Sequence, residues 1–171
     1  SVHGIAWVNL LKQSFTIGKT IAQATLEIVH HLFGDYGLVV VQPDSPELKS
    51  LFTSVIEKEL ITGFSNNAVQ QTIKNLSVHY KVQAAGRAIN LFYLQGNKRE
   101  RIVQTDAGYE VTALGLSFTK DQILADVQNN PANYSPNVIL RGVFQETILP
   151  NIAFIGGGGE LAYWLELKQV F

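Results

Sequence analysis

Ile17, Ile21, Ala24, Ile28 and Leu32 recur at three- and four-residue spacing, which predicts a core-packed helix opened by Thr16 and closed at Gly34. The run "GLVVVQP" (37–43) is β-branched and bounded by Gly and Pro, so it predicts a buried strand. Ser45 followed by Pro46 marks the next helix start, with Leu48, Leu51, Phe52, Val55, Ile56 and Leu60 facing inward until Gly63. Helix, strand, helix is an α/β signature.

Asn67 is placed to cap a shorter helix through Leu76, and Val78, Tyr80 and Val82 then alternate as an extended strand would. "INLFYLQG" (89–96) is a stronger strand candidate. "RERIVQT" and "YEVTALG", separated by Asp106-Ala107-Gly108, read as an antiparallel hairpin inserted in the α/β frame. Thr119 with Gln122 forms a capping box ahead of Ile123, Leu124 and Val127, and Pro131 lies just past that helix. Ser135-Pro136 then opens a helix to about Ile148, Pro150 stops it, and "NIAFI" (151–155) reads as a short strand.

Four glycines, 156–159, follow that strand and precede a helix over 160–171. They permit backbone φ values closed to other residues, and exposed N–H groups at a helix start bind anions. The motif lacks the Lys-Ser/Thr of a phosphate loop and the spacing of a dinucleotide fingerprint. A tight, closely packed turn is the competing reading. Glu160 suits the helix dipole, and it favours an amine- or hydroxyl-bearing ligand over an anion. Trp164 shares a helix face with Leu161 and Leu167, which predicts a place in the core beneath the turn.

Composition narrows the function. The chain has 171 residues, 46% of them hydrophobic, with a formal net charge of -1, so nucleic acid is not an expected partner. No apolar run approaches the roughly 20 residues of a membrane helix and no secretory leader is evident, which gives no membrane partner and a cytoplasmic expectation. Without Cys there are no disulfides, thiol nucleophiles or Cys-ligated zinc. Adjacent His30 and His31 cannot both face one ion, so no metal is expected. Even apolar spacing predicts one domain over 1–171, and the lack of any Met together with the apolar "GIAWVNLL" near the start suggests a fragment of a longer chain.

The stretch "YSPNVILRGVFQETILPNIAFIGGGGELAYW" (134–164) resembles the central segment of the bacillithiol biosynthesis cysteine-adding enzymes, in its order of SPN, LR, QE, LPN and a glycine turn ending in GE and YW. "INLFYLQGNKRERI" (89–102) and "HHLFGDYGLVVVQPDSPELK" (30–49) resemble two further stretches of that family. Gly142 and Gly158 stand where the family pattern has Pro. The resemblance implies an α/β, Rossmann-like (nucleotidyltransferase-like) mixed sheet with flanking helices. It also implies a ligase that adds cysteine to glucosaminyl malate, a homodimer when full-length, and ATP as the one cofactor to consider. On the same resemblance, the family's N-terminal half and C-terminal coiled coil are missing here, which leaves the isolated fragment inactive. A non-catalytic α/β nucleotide- or ligand-binding module is the alternative.

Arg141 and Gln145 lie at i and i+4 on the predicted helix, a cation and an amide suited to a carboxylate such as that of malate, or else a plain surface pair. The resemblance adds Asn137 and Glu160 to this group, with Gly156, Gly157 and Gly159 letting substrate approach the backbone. Asn90 and Tyr93 on the predicted strand and Arg99 beside the hairpin complete the substrate-binding candidates. No catalytic residue is assigned.

Overall fold

The structure, a computed structural model, describes residues 2–171. The chain forms two compact units, Ser1–Gln42 and Pro43–Phe171. In the first unit, α1 (Val2–Ser14) packs against α2 (Ile21–Phe33). The cap of α2 is Thr20 rather than Thr16. Its backbone N–H donates to Gln23 Oε1 at 2.8 Å while the Gln23 N–H donates to Thr20 Oγ1 at 3.2 Å, a reciprocal pair that Thr16 has no Gln or Glu to form. Only Ala24 of α2 is buried, so this helix is not the core-packed element its spacing predicts. Residues 38–42 pair with no strand, and Val39 is 80% exposed, so the strand expected at 37–43 is absent. A β-branched run favours extension, but it makes a sheet only where another strand presents its edge.

The second unit carries the core. Ser45 and Pro46 open α3 (Pro46–Ser50) as expected, but a break at Leu51 and Phe52 separates it from α4 (Thr53–Thr62). Two hydroxyls compete for the helix carbonyls there, with Ser50 Oγ donating to the Glu47 carbonyl and Thr53 Oγ1 to the Ser50 carbonyl. The break turns Phe52 into the core, edge-on to Phe144 at 5.1 Å. Gly63, at φ +56°, ends α4, and α5 (Phe64–Leu76) begins at once, ahead of the expected cap at Asn67. A Cβ at Gly63 would lie 2.8 Å from the Ala88 carbonyl oxygen.

The expected strand around 78–82 is also absent, with Val78 and Tyr80 largely exposed. The backbone that follows is held by a carboxylate instead. The N–H groups of Gln83 and Ala84 donate to Glu166 Oε1 and Oε2 at 2.6 and 2.9 Å.

Two three-stranded antiparallel sheets follow. The first is ordered β2-β1-β6, from β1 (Leu91–Gln95), β2 (Lys98–Arg101) and, later in the chain, β6 (Tyr134–Pro136). The second is β3 (Val103–Thr105), β4 (Gly108–Val111) and β5 (Leu116–Phe118). The predicted hairpin is therefore two hairpins. "RER" pairs with β1, the chain crosses at buried Ile102, and "VQT" pairs with β4. Gly108 at φ +144° is obligatory, because a Cβ there would collide with the Phe118 carbonyl.

Helix α6 (Lys120–Asn129) starts at the Thr119–Gln122 capping box. Helix α7 (Val138–Ile148) is capped by Asn137, whose Oδ1 accepts from the Ile139 N–H, because Ser135 and Pro136 are already committed to β6. Ile56, Leu60, Val69, Leu91, Ile123 and Ile139 meet in one core, each side chain contributing about 1.5 to 3 kcal/mol by burial. After α7, residues 149–157 form no strand, and Ile152 and Ile155 point into solvent. Helix α8 (Gly158–Glu166) closes the unit. Leu167 beyond it is fully buried, whereas Leu161 is 49% exposed. Trp164 is half-buried and stacks on Phe154 at 4.1 Å instead of entering the core.

One buried polar network ties these elements together. Glu59 accepts from the Ser65 N–H (3.1 Å), Ser65 Oγ (2.7 Å) and the Asn90 N–H (2.9 Å). The Asn90 side chain donates to Ser65 Oγ and the Arg87 carbonyl and accepts from the Arg87 N–H and Asn137 Nδ2. Glu59, Ser65 and Asn90 are each 0% exposed. Asn90→Ala should cost roughly 2 to 4 kcal/mol, since it strands several buried partners at about 1 to 3 kcal/mol each. Urea melts of the full-length protein check this, and a loss below about 0.5 kcal/mol would contradict it.

Glu146 near the end of α7 accepts from the Asn151 N–H at 3.0 Å and from Asn151 Nδ2 at 2.6 Å, so it fixes the turn after Pro150 rather than standing free in solvent. Those two bonds hold its carboxyl below the usual range. A depressed folded value stabilises the fold above the ordinary glutamate range, near 4.3, and that stability is lost as pH falls through the lower folded value. The parent should therefore be more stable than Glu146→Gln at neutral pH, with the gap closing on acidification below about pH 4. Paired thermal melts across pH check this, and a pH-independent gap would contradict it.

Candidate functional site

Alternation along β1 gives the first sheet two faces. Leu91 and Tyr93 point into the core, while Phe92 and Leu94 point outward, directly across from Arg101 and Arg99 on β2. Ser135 on β6 pairs with Phe92 on the other side. The outer face therefore carries a ring, two arginines and a hydroxyl.

Arg99 lies with its guanidinium carbon 3.7 Å from the Phe92 ring centre. Its Nη2 donates to the Pro136 carbonyl at 3.0 Å and its Nε to Ser135 Oγ at 3.3 Å, so its fork is held in place. Burial pushes its pKa down, the charge of Arg141 adds to that, and Asp44 pulls back. Arg141 is exposed on α7, and Gln145 is half-buried one turn later, where it reaches the same helix face.

Asn137 joins this region to a cleft of about 250 Å³ that also contains Arg87, Phe92, Arg101 and Gln104. All four arginines of the chain thus gather around the outer sheet face and the start of α7. Among the described residues the ion pairs are Lys19–Glu27 and Lys49–Asp44, so none of the four guanidiniums has a carboxylate partner. A concentration of unpaired Arg suits planar oxyanions, which it grips through paired N–H donors.

The sequence candidates divide on this geometry. Arg99, Arg141, Asn137 and Gln145 lie at the arginine face. Asn90 lies beneath it with its amide fully engaged, and so acts on the face through Asn137 and Arg87. Tyr93 is on the opposite face of the sheet. Its hydroxyl donates to Asp126 Oδ2 at 3.1 Å and accepts from Asn133 Nδ2 at 3.2 Å, and burial raises its pKa. Tyr134 donates to the same Asp126 oxygen at 2.8 Å.

Within the glycine run, packing requires glycine at Gly156 alone. None of Gly156, Gly157, Gly158 and Gly159 has a positive φ, so the special backbone conformations expected there are not used. A Cβ on Gly156 would lie 2.6 Å from the Phe154 ring that stacks on Trp164, so this glycine makes room for the aromatic pair. The Gly157 N–H donates to Glu160 Oε2 at 3.0 Å, which gives the start of α8 an internal acceptor. Gly142 is buried in α7, where a Cβ would lie 2.7 Å from the Phe171 ring and 3.4 Å from that of Trp164.

Sequence reasoning missed Arg87 and Arg101. The signal was present in the Arg99-x-Arg101 alternation, since residues two apart on a strand share a face.

Comparison with known proteins agrees with this α/β arrangement. Residues 2–171 match the family described as "Bacillithiol biosynthesis BshC, N-terminal Rossmann-like domain". A protein of Flavobacterium johnsoniae named "Putative cysteine ligase BshC" is 46% identical over 163 residues, covering 95% of this chain and 31% of the relative. Proteins with the same name from Cytophaga hutchinsonii and Bacillus cereus (strain G9842) are 42% and 33% identical, over 97% and 84% of this chain. The chain spans 31% of the length of the first two of these relatives. With the family matched from residue 2 to residue 171, this chain belongs to the BshC family of bacillithiol biosynthesis, and its mixed helices and sheets form part of that family's Rossmann-like domain.

Proposed function

We propose that this chain is the substrate-carboxylate side of a ligase that joins cysteine to the amine of glucosaminyl malate. The observation that carries the reading is the gathering of four unpaired arginines on one face of a protein whose net charge is only -1. Malate contributes two carboxylates, and Arg99 and Arg141 form a fixed and a freer cation on that face. The order that holds Arg99 lowers the entropy cost of gripping a ligand. Gln145, one turn from Arg141, adds an amide donor.

Amide formation needs the amine nitrogen to attack the cysteine carboxyl carbon as a carbon–oxygen bond breaks. A free carboxylate is a poor acylating group, so ATP is the proposed co-substrate: it would convert the cysteine carboxylate to an acyl-adenylate with release of pyrophosphate, and the amine would then displace AMP and lose its proton to solvent. Glu160 keeps Oε1 available for the sugar amine or a hydroxyl, because Gly157 occupies Oε2. On this reading the 171-residue segment is inactive alone, and the full-length enzyme is a cytoplasmic homodimer.

Arg141→Ala in the full-length protein should weaken glucosaminyl malate binding by about 10- to 150-fold, corresponding to roughly 1.5 to 3 kcal/mol for a hydrogen bond to a charged group. Its melting temperature should stay unchanged, because Arg141 is exposed. Calorimetric titration beside a thermal melt measures both. Unchanged affinity would reject the substrate role.

A further inference from the structure

The reading above counts Arg87 and Arg101 in the cationic face but gives the cleft they line no ligand, and its construction is that of a binding site. The buried Ile89, Leu91 and Ile102 give it an apolar floor, while Arg87, Arg101 and Gln104 are the charged and polar residues of its lining. Both cations project from fixed backbone. The Arg87 N–H donates to Asn90 Oδ1 at 3.1 Å and its carbonyl accepts from Asn90 Nδ2 at 2.9 Å, so a buried side chain clamps that residue from both sides. Arg101 is set by its place in β2 opposite Phe92.

Asn137 also lines the cleft, but its Nδ2 and Oδ1 are already tied to Asn90 and to the Ile139 N–H, so its amide is positioned by the fold. Recognition of charge falls to the arginines, with Gln104 in the same lining. Among the described residues neither guanidinium has an ion pair, and no side-chain hydrogen bond engages Arg87, Arg101 or Gln104. An anion held in a cleft lined by two cations meets charge of the opposite sign on both. A volume of about 250 Å³ has room for a small organic anion.

We propose that the Arg87–Arg101 cleft is a second anion subsite, separate from the Arg99–Arg141 pair, which takes the carboxylate or phosphoryl group of a small molecule. Carboxylate and phosphate share the oxyanion geometry that a guanidinium fork recognises, so the two sources are separated by using each as a probe.

The test is calorimetric titration of the full-length protein, first saturated with glucosaminyl malate so that the Arg99–Arg141 pair is filled, with malate and, separately, with inorganic phosphate, at ionic strength held constant with chloride. Parent, Arg87→Gln, Arg101→Gln and Arg141→Ala are compared. At least one probe should bind saturably to the parent, and its identity assigns the group. Arg87→Gln and Arg101→Gln should each weaken that probe by about tenfold or more. Arg141→Ala should change it less than about threefold, since its partner is the other anion group. Melting temperatures should hold in both Gln variants, because Arg87 and Arg101 are exposed.

Absence of saturable binding by either probe would overturn the proposal, as would binding indifferent to both Gln substitutions. An equal loss in Arg141→Ala would merge the two subsites into one and overturn their separation. The glucosaminyl malate affinity of Arg141→Ala is read independently, so failure of this subsite and failure of the ligase reading give different results.

Discussion

The buried carboxyl group of Glu59 is the point on which the second unit depends. It is fully enclosed and, among the described residues, has no cationic partner, so its burial is tolerated only because three donors reach it. Those donors belong to the start of α5 and the approach to β1. A residue on α4 thereby fixes where the next helix begins and where the sheet enters. Asn90 carries the constraint onward, because its own N–H satisfies Glu59 while its side chain sets the backbone at Arg87 and orients Asn137. Since Asn137 caps α7, the helix bearing Arg141 is aligned with the sheet bearing Arg99 and Arg101 by a chain of hydrogen bonds.

That chain explains how an exposed cationic face has defined geometry. Long side chains on a surface usually wander, and isolated surface charges contribute little. Here the backbone beneath Arg87 is clamped and the Arg99 fork rests on Phe92 and the Pro136 carbonyl. Arg141, like Arg87 and Arg101, has no side-chain hydrogen bond among the described residues, which suits a contact that closes on a ligand. The aromatic stack of Phe154, Trp164 and Phe171 plays a different part, bracing α8 against the Gly142 face of α7.

Local chemistry was the legible part of the sequence. The Thr119–Gln122 box, the Ser45-Pro46 start and the Gly63 stop each act within a few residues, and all three stand where the spacing puts them. Runs whose state depends on distant partners were misread. "GLVVVQP" and "NIAFI" have strand composition but no strand beside them, and the backbone at 83–84 is satisfied by Glu166, some 80 residues away in sequence. The glycine run was read for its conformational freedom, whereas Gly156 is needed for its missing side chain beside Phe154. Of the residues that lie at the arginine face, Arg99, Asn137, Arg141 and Gln145 were singled out from spacing and resemblance. Arg87 was not, because only the folded path through Asn90 brings it to the cleft shared with Arg101.

The most direct measurement is a structure of the full-length protein with glucosaminyl malate bound. The account predicts a malate carboxylate within hydrogen-bond distance of the Arg99 and Arg141 guanidiniums, with Asn90 still joining Glu59 to Asn137 beneath them. Carboxylate side chains from elsewhere in the full-length chain paired with these arginines, and the ligand bound at another face, would contradict it.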